Sequence, residues 1–165
     1  MPEENVQIRV YAADALDEKS IRRLVSLVNG AYSRHSWLFP EDRTSYREFC
    51  EEIAGKELVL LLTEPAMEIV GTALIQPDEH SLYLGMAAID LTRQGQGLGA
   101  RLMKAVEEIA RQRNLAKIKL ITVRELGNVE YYRQKGFQVV SEQRQPAGTW
   151  GAVGPYWLAT MEKKI

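Results

Sequence analysis

The chain has 165 residues, about one domain's worth and enough to bury a core without staples. Hydrophobic residues make up 45% and charged residues 26%, with a formal net charge of −1, so no overall field draws the chain to nucleic acid or to a membrane surface. One cysteine, Cys50, excludes an internal disulfide. The start, MPEENVQIRV, has the basic and apolar character of no signal peptide, and no stretch reaches the ~18 apolar residues of a membrane span, so the expected location is the cytoplasm.

In chain order, Val6–Tyr11 alternates apolar and polar residues and predicts a strand. Ile21, Leu24, Val25, Val28 and Tyr32 recur at helical spacing, which predicts an amphipathic helix over Asp17–Tyr32. Ser33–Pro40 breaks the pattern, and a weaker helix over Ser45–Ala54 stops at Gly55. Glu57–Thr63 and Glu68–Ile75 read as a hairpin around a Glu-Pro-Ala turn, with a further strand over His80–Ile89. Leu91–Gly99 is a glycine-rich loop, followed by a helix marked by Leu98, Leu102, Val106 and Ile109. Lys117–Val123 is a strand, and Val129–Lys135 a short helix ending at Gly136. Phe137–Ser141 and Tyr156–Glu162 are the last strands, with a long Gly/Pro loop between them. Antiparallel strands followed by βαβ units predict an α/β fold, one mixed sheet of about seven strands with helices on both faces, spanning 1–165 as a single domain. Crossovers are expected to be right-handed.

The segment Gln94-Gly95-Gln96-Gly97-Leu98-Gly99 lies between a strand and a helix. Free amides at a helix start and the macrodipole favour an anion there, and glycine lets backbone approach a phosphate. Between Leu91 and Val106 no residue is acidic, while Arg93, Arg101 and Lys104 are cationic, either as anion partners or as solvated surface charge. The Walker pattern needs Gly-Lys-Ser/Thr, but Gly99 is followed by Ala100-Arg101. Gly95-x-Gly97-x-x-Ala100 fits a loose dinucleotide fingerprint, but the 65 residues after Ala100 are too few for that fold.

Met86-Ala87-Ala88-Ile89 closing a strand, then Gln94, Gly97 and Gly99, then Tyr132-x-x-x-Gly136-Phe137, stand in an order and spacing that resemble the GCN5-related N-acetyltransferase (GNAT) superfamily over Leu82–Val140. The resemblance implies the acyl-CoA N-acyltransferase fold and acetyl-coenzyme A as cofactor. Its loop amides, here Gln94, Gly95, Gln96, Gly97, Leu98 and Gly99 with Ala100 close by, would bind the pyrophosphate. A strand bulge at Met86, Ala87, Ala88 and Ile89 would bond the pantetheine arm and the acetyl oxygen, and Gly85 inside that strand agrees with a bulge. Tyr132 aligns with the tyrosine that many members place near the sulfur, where a phenol can protonate a thiolate; its other reading is packing on the cofactor. Tyr131, adjacent on the helix, is expected to point elsewhere.

Two positions depart from the family. Many members carry a cofactor-contacting asparagine about seven residues before the tyrosine; that place is Glu125, with Asn128 nearer. Some use a glutamate base on the central strand, which Ser81–Asp90 lacks; Tyr83, Glu125, Glu79 and His80 are the candidates, beside direct deprotonation by solvent. The acceptor is expected near two aromatic segments, Tyr32–Pro40 with His35, Trp37 and Phe39, and the glycine-bearing loop Gln143–Pro155 with Trp150, which could move as a lid. The other reading of Trp37 and Phe39 is that they anchor their loop in the core. His35, His80 and Cys50 show no metal-ligand spacing, so no metal is expected. The expected partner is a small-molecule or peptide amine, and a homodimer is compatible with the sequence. The expected activity is acetyl transfer to a primary amine by direct attack in a ternary complex, the alternative being a non-catalytic coenzyme A-binding or regulatory module of the same fold.

Overall fold

The computed structural model describes residues 5–165; the opening residues of the stretch that reads as no signal peptide lie outside it. Seven strands form one sheet in the order β1-β2-β3-β4-β5-β7-β6. They are β1 (Val6–Ala12), β2 (Glu57–Thr63), β3 (Ile69–Pro77), β4 (Ser81–Ile89), β5 (Lys117–Val123), β6 (Gln138–Gln145) and β7 (Tyr156–Lys164). All neighbours are antiparallel except β4 and β5. The helices are α1 (Glu18–Tyr32), α2 (Tyr46–Ile53), α3 (Leu98–Gln112) and α4 (Asn128–Gln134). No helix among the described residues is long and apolar enough to cross a membrane.

The helix starts follow local chemistry. The Asp17 carboxylate accepts from the Ser20 amide at 2.8 Å, and the Ser45 hydroxyl from the Glu48 amide at 3.2 Å. Each satisfies an amide that the first helical turn cannot. The apolar stripes of α1 and α2 then bury Leu24, Leu27, Val28, Phe49 and Ile53 against one face of β2–β4. On the other face, α3 and α4 cover Val59, Leu82, Leu84, Ile118 and Met161 with Leu102, Val106 and Val129. A third cluster joins Leu38, Val123, Ala152 and Tyr156 beside β5.

β6 differs from the expected Phe137–Ser141: it runs on to Gln145, paired residue for residue with Leu158, Trp157 and Tyr156, so the following loop starts at Pro146 instead of Gln143. Ser141–Arg144 is polar and exposed, without the alternation that marks a strand from sequence. Only its partner β7 makes it one.

Candidate active site

β4 is irregular where the sequence suggested. Thr72 pairs with Ala88 and Leu74 with Gly85, so Met86 and Ala87 both stand opposite Ala73. This is a β-bulge, and Met86 takes a left-handed φ of 45° to make it. The extra residue exchanges the faces of the strand. Leu82 and Leu84 pack under α3, whereas Met86 and Ala88 pack under α1 and α2. Gly85 has its own reason: a Cβ there would lie 2.9 Å from Cε1 and 3.2 Å from the hydroxyl of Tyr83, whose ring occupies that space.

Beyond the bulge the sheet opens. β4 pairs with β5 only from Ser81–Lys117 to Leu84–Leu120, while β5 continues to pair with β7 as far as Val123. Gly85–Ile89 and Ile121–Val123 therefore turn strand edges toward each other without a ladder between them. Backbone amides and carbonyls at such edges need partners. An extended ligand with amide groups of its own suits them.

The opening leads to the glycine loop. Gly95 and Gly97 have φ of 80° and 79°, a region costly for residues with a Cβ, and nothing lies within 4 Å of where either Cβ would stand. Gly97 caps α3 without a side-chain acceptor, and the first turn holds no acidic residue, so the amides of Leu98, Gly99 and Ala100 form an electropositive helix start. Gln94 fastens the loop, donating to the Ile89 carbonyl at 3.3 Å and accepting from Arg34 at 3.4 Å; Gln96 is exposed. Asp90 fastens it from below. Its carboxylate accepts from the Thr92 hydroxyl and amide and pairs closely with Arg23 on α1. The Thr92 hydroxyl first, and Arg23 after it, hold the Asp90 pKa down to about 2. Of the cations noted in sequence, Arg101 donates to the Val6 carbonyl at 2.9 Å, a tie between α3 and β1, and Lys104 is exposed.

Tyr132, on α4, is packed edge-on between Tyr131 and Phe137, at centroid distances of 5.3 and 5.6 Å. Burial above all, with the Tyr32 and Tyr131 hydroxyls adding, pushes its ionisation well above the ordinary phenol range, so it is a neutral hydrogen-bond donor at pH 7. Tyr131 does not point away from the site as expected. Its hydroxyl lies 3.8 Å from the Cβ position of Gly99, and the Lys135 ammonium sits 5.6 Å from its ring centroid. The helical periodicity of α4 gave no hint of this, because α3 sets where Tyr131 can lie. Asn128 opens α4 and is half-buried.

On the α1 side of the bulge, the Tyr32 hydroxyl donates to the Ala87 carbonyl at 3.4 Å. Burial raises the Tyr32 pKa, and burial followed by the Glu52 charge raises that of Tyr83, so both phenols stay protonated. His35 packs edge-on to Tyr32 at 6.1 Å, and burial, then Arg34, lowers its pKa, which leaves it neutral. Arg43 and Glu52 were not among the residues singled out from sequence, and Tyr32 stood there only as the end of the first helix's apolar stripe and the start of an aromatic segment; the polar pair lies on different elements, which no local spacing connects.

The two aromatic segments meet. The Val153 amide donates to the Leu38 carbonyl at 2.9 Å. Leu38 is the buried anchor, at 4% exposure, while Phe39 stacks edge-on against Tyr156 at 5.1 Å and Trp37 remains 59% exposed. Trp150 is 67% exposed, tilted over Tyr156 at 6.0 Å with a left-handed φ of 56°. The glycine-bearing loop is thus tied to its neighbour. Beneath it the Tyr156 hydroxyl is buried with no hydrogen-bond partner among the described residues.

The remaining base candidates are placed away from the bulge or engaged. Glu79 and His80 sit in the β3–β4 turn, seven and six residues before Met86, ~20 Å or more away along the strand. The Glu125 carboxylate accepts from the Trp157 amide at 3.0 and 3.2 Å and so secures the start of β7. Among the described residues no three His, Cys, Asp or Glu side chains are grouped to hold a metal.

A search of curated proteins finds no match. Solved structures share the fold at low identity. The ribosomal-protein-S18-alanine N-acetyltransferase of Escherichia coli superposes with a TM-score of 0.74 at 16% identity, covering 96% of this chain and 94% of its own. A GNAT family acetyltransferase from Elizabethkingia anophelis, solved with acetyl-CoA bound, gives 0.69 at 18% identity over 99% and 100%. N-acetylglutamate synthase from Neisseria gonorrhoeae, complexed with coenzyme A and N-acetyl-glutamate, gives 0.66 at 16% identity over 98% of this chain and 35% of that one. Residues 30–152 match the acetyltransferase (GNAT) domain, well over half of the sequence, and the chain therefore belongs to the GNAT acetyltransferase family.

Proposed function

We propose that this chain transfers an acetyl group from acetyl-coenzyme A to a primary amine by direct attack within a ternary complex. The observation that carries the reading is the parting of β4 from β5 at a bulge that opens onto an uncapped, glycine-led helix start. That arrangement fits the donor on its own geometry: open space over Gly95 and Gly97 for a pyrophosphate, and two strand edges with no ladder between them for an amide-bearing arm. The bound thioester supplies an activated acetyl carbon. In the transfer the amine nitrogen forms the new C–N bond, the C–S bond breaks, the amine gives up one proton and the sulfur gains one.

The chain's own groups then have distinct tasks. A backbone N–H in the Met86–Ile89 segment meets the charge that develops on the carbonyl oxygen, where preorganised donors act most strongly. Tyr132, neutral and largely desolvated, donates its hydroxyl hydrogen toward the sulfur. Its raised pKa makes complete proton transfer uphill, so hydrogen bonding to the departing sulfur is its main contribution. Tyr32 orients the bulge through the Ala87 carbonyl, and Tyr83 stands beside Gly85. The acceptor's apolar portion would rest along Phe39, Tyr156 and Trp150, with Trp37 at the mouth.

Thermal melting with acetyl-coenzyme A, NAD or ATP, followed by thiol release over a panel of amines, tests the reading. A shift with acetyl-coenzyme A and amine-dependent thiol release are expected. A shift with NAD or ATP alone would refute it. Binding without turnover of any amine would favour the non-catalytic coenzyme A module.

A further inference from the structure

Arg43 and Glu52 meet at the acceptor side of the bulge, on the segment before α2 and on α2 itself. Their single contact is 3.4 Å long, Arg43 Nη2 to Glu52 Oε1. Among the described residues it is the only hydrogen bond either group makes. The contrast with Arg113 and Glu57 is instructive: there two parallel bonds of 2.7 and 2.9 Å form the paired geometry that guanidinium and carboxylate prefer. Arg43 instead lies with its guanidinium carbon 5.8 Å from the Tyr32 ring centroid, and both members of the pair keep about a third of their surface exposed. Tyr32 in turn reaches the Ala87 carbonyl of the bulge. A loosely joined cation and anion thus stand against Tyr32, which itself touches the bulge.

Resting on the acetyltransferase reading, we propose that the acceptor is a small zwitterion, an amine that carries a carboxylate in the same molecule, received by Arg43 and Glu52. Charge accounting decides the class. A simple amine, entering as its ammonium form, takes Glu52 and leaves Arg43 without a counter-charge. A zwitterion exchanges partners with the pair: its ammonium meets Glu52, its carboxylate meets Arg43, and every charge remains compensated. Two short charge-assisted contacts replace one long one. Arg43 has the planar fork that a carboxylate can engage with two bonds, which a lysine lacks. The amine sheds its proton before attack, and Glu52, which pairs with its ammonium form, is the carboxylate that receives it, directly or through water. Arg43 is a specificity residue in this account, set apart from the sulfur and the acetyl carbon.

The test uses the full chain with saturating acetyl-coenzyme A. The acceptors are the twenty L-amino acids, β-alanine and 4-aminobutyrate, each beside its carboxamide. At least one zwitterion should be acetylated with kcat/KM roughly 10- to 100-fold above its own amide, the size of losing one charge-assisted pairing. Arg43→Gln should raise KM for that zwitterion by a similar factor, leave its amide nearly unaffected, and keep the melting shift with acetyl-coenzyme A. Arg43→Lys should recover part of the preference. Amides serving as well as the acids overturn the proposal, and so does failure of every zwitterion while acetyl-coenzyme A still shifts the melting temperature. Absence of that shift defeats the acetyltransferase reading itself, and this inference with it.

Discussion

Gly97→Leu separates what the glycine loop does for folding from what it does for binding. Gly97 holds φ 79° and ψ 8° as the residue that opens α3. A leucine in that conformation costs ~1–2 kcal/mol of backbone strain. No contact adds to this, since nothing lies within 4 Å of the added Cβ. In a chain of this size ~1 kcal/mol moves the melting temperature by roughly 2–4 °C. The free variant should therefore melt about 2–8 °C below wild type and remain folded. The wild type, at acetyl-coenzyme A about 100 times its dissociation constant, gains ~2.7 kcal/mol, or roughly 5–11 °C. In the variant the leucine projects into the open space above the loop, or the loop relaxes to negative φ and withdraws its amides. Either way the cofactor-dependent shift should fall below about 2 °C. Gly97→Asn, which tolerates left-handed φ, should melt nearer wild type and retain more of the shift. Differential scanning fluorimetry with and without acetyl-coenzyme A reads all three proteins. A Gly97→Leu protein that melts a few degrees lower yet keeps the full shift would refute the placement of the cofactor over this loop.

Tyr132→Phe removes only a hydroxyl from a ring that Tyr131 and Phe137 keep in place. It should lower kcat by roughly 10- to 1000-fold with little change in acetyl-coenzyme A affinity, and steady-state kinetics beside a binding titration would show it; undiminished turnover would reduce Tyr132 to packing. The Asp90 pKa is depressed to about 2, so its contribution to stability is complete above its unfolded value of ~3.9 and is lost as pH falls from there through about 2. Asp90→Asn should melt lower than wild type at pH 7, by the ~1–3 kcal/mol of a broken charged hydrogen bond, and the gap should close in melts taken progressively below pH 4. A gap that stays constant down to pH 2 would show that the carboxylate charge is not what fastens the loop.

Much of the architecture was legible in the residues. Asp17 and Ser45 cap their helices through their own side chains, and the apolar spacing of Ile21–Tyr32 and Leu98–Ile109 fixes which helix faces are buried; these are interactions within a turn or two, which a sequence states directly. The glycine loop was legible for the same reason, because left-handed backbone at Gly95 and Gly97 selects glycine locally. The family resemblance placed the bulge at Met86–Ile89 and Gly85 agreed with it, but that Met86 takes the left-handed conformation, and the face exchange that follows, depend on which residues of β3 it must oppose. Pairing across strands decided the rest. β7 made a strand of Ser141–Gln145 despite its polar surface, β5 left β4 after four pairs, and the Val153–Leu38 bond joined two loops more than a hundred residues apart. Tyr131 against Gly99, Tyr32 against Ala87 and Arg43 against Glu52 are likewise encounters between separate elements. The sequence by itself determined the elements and the loop that favours an anion, since both rest on contacts between near neighbours. Only the tertiary structure decided where the sheet parts and which charges stand beside the opening, since those depend on how distant segments pack.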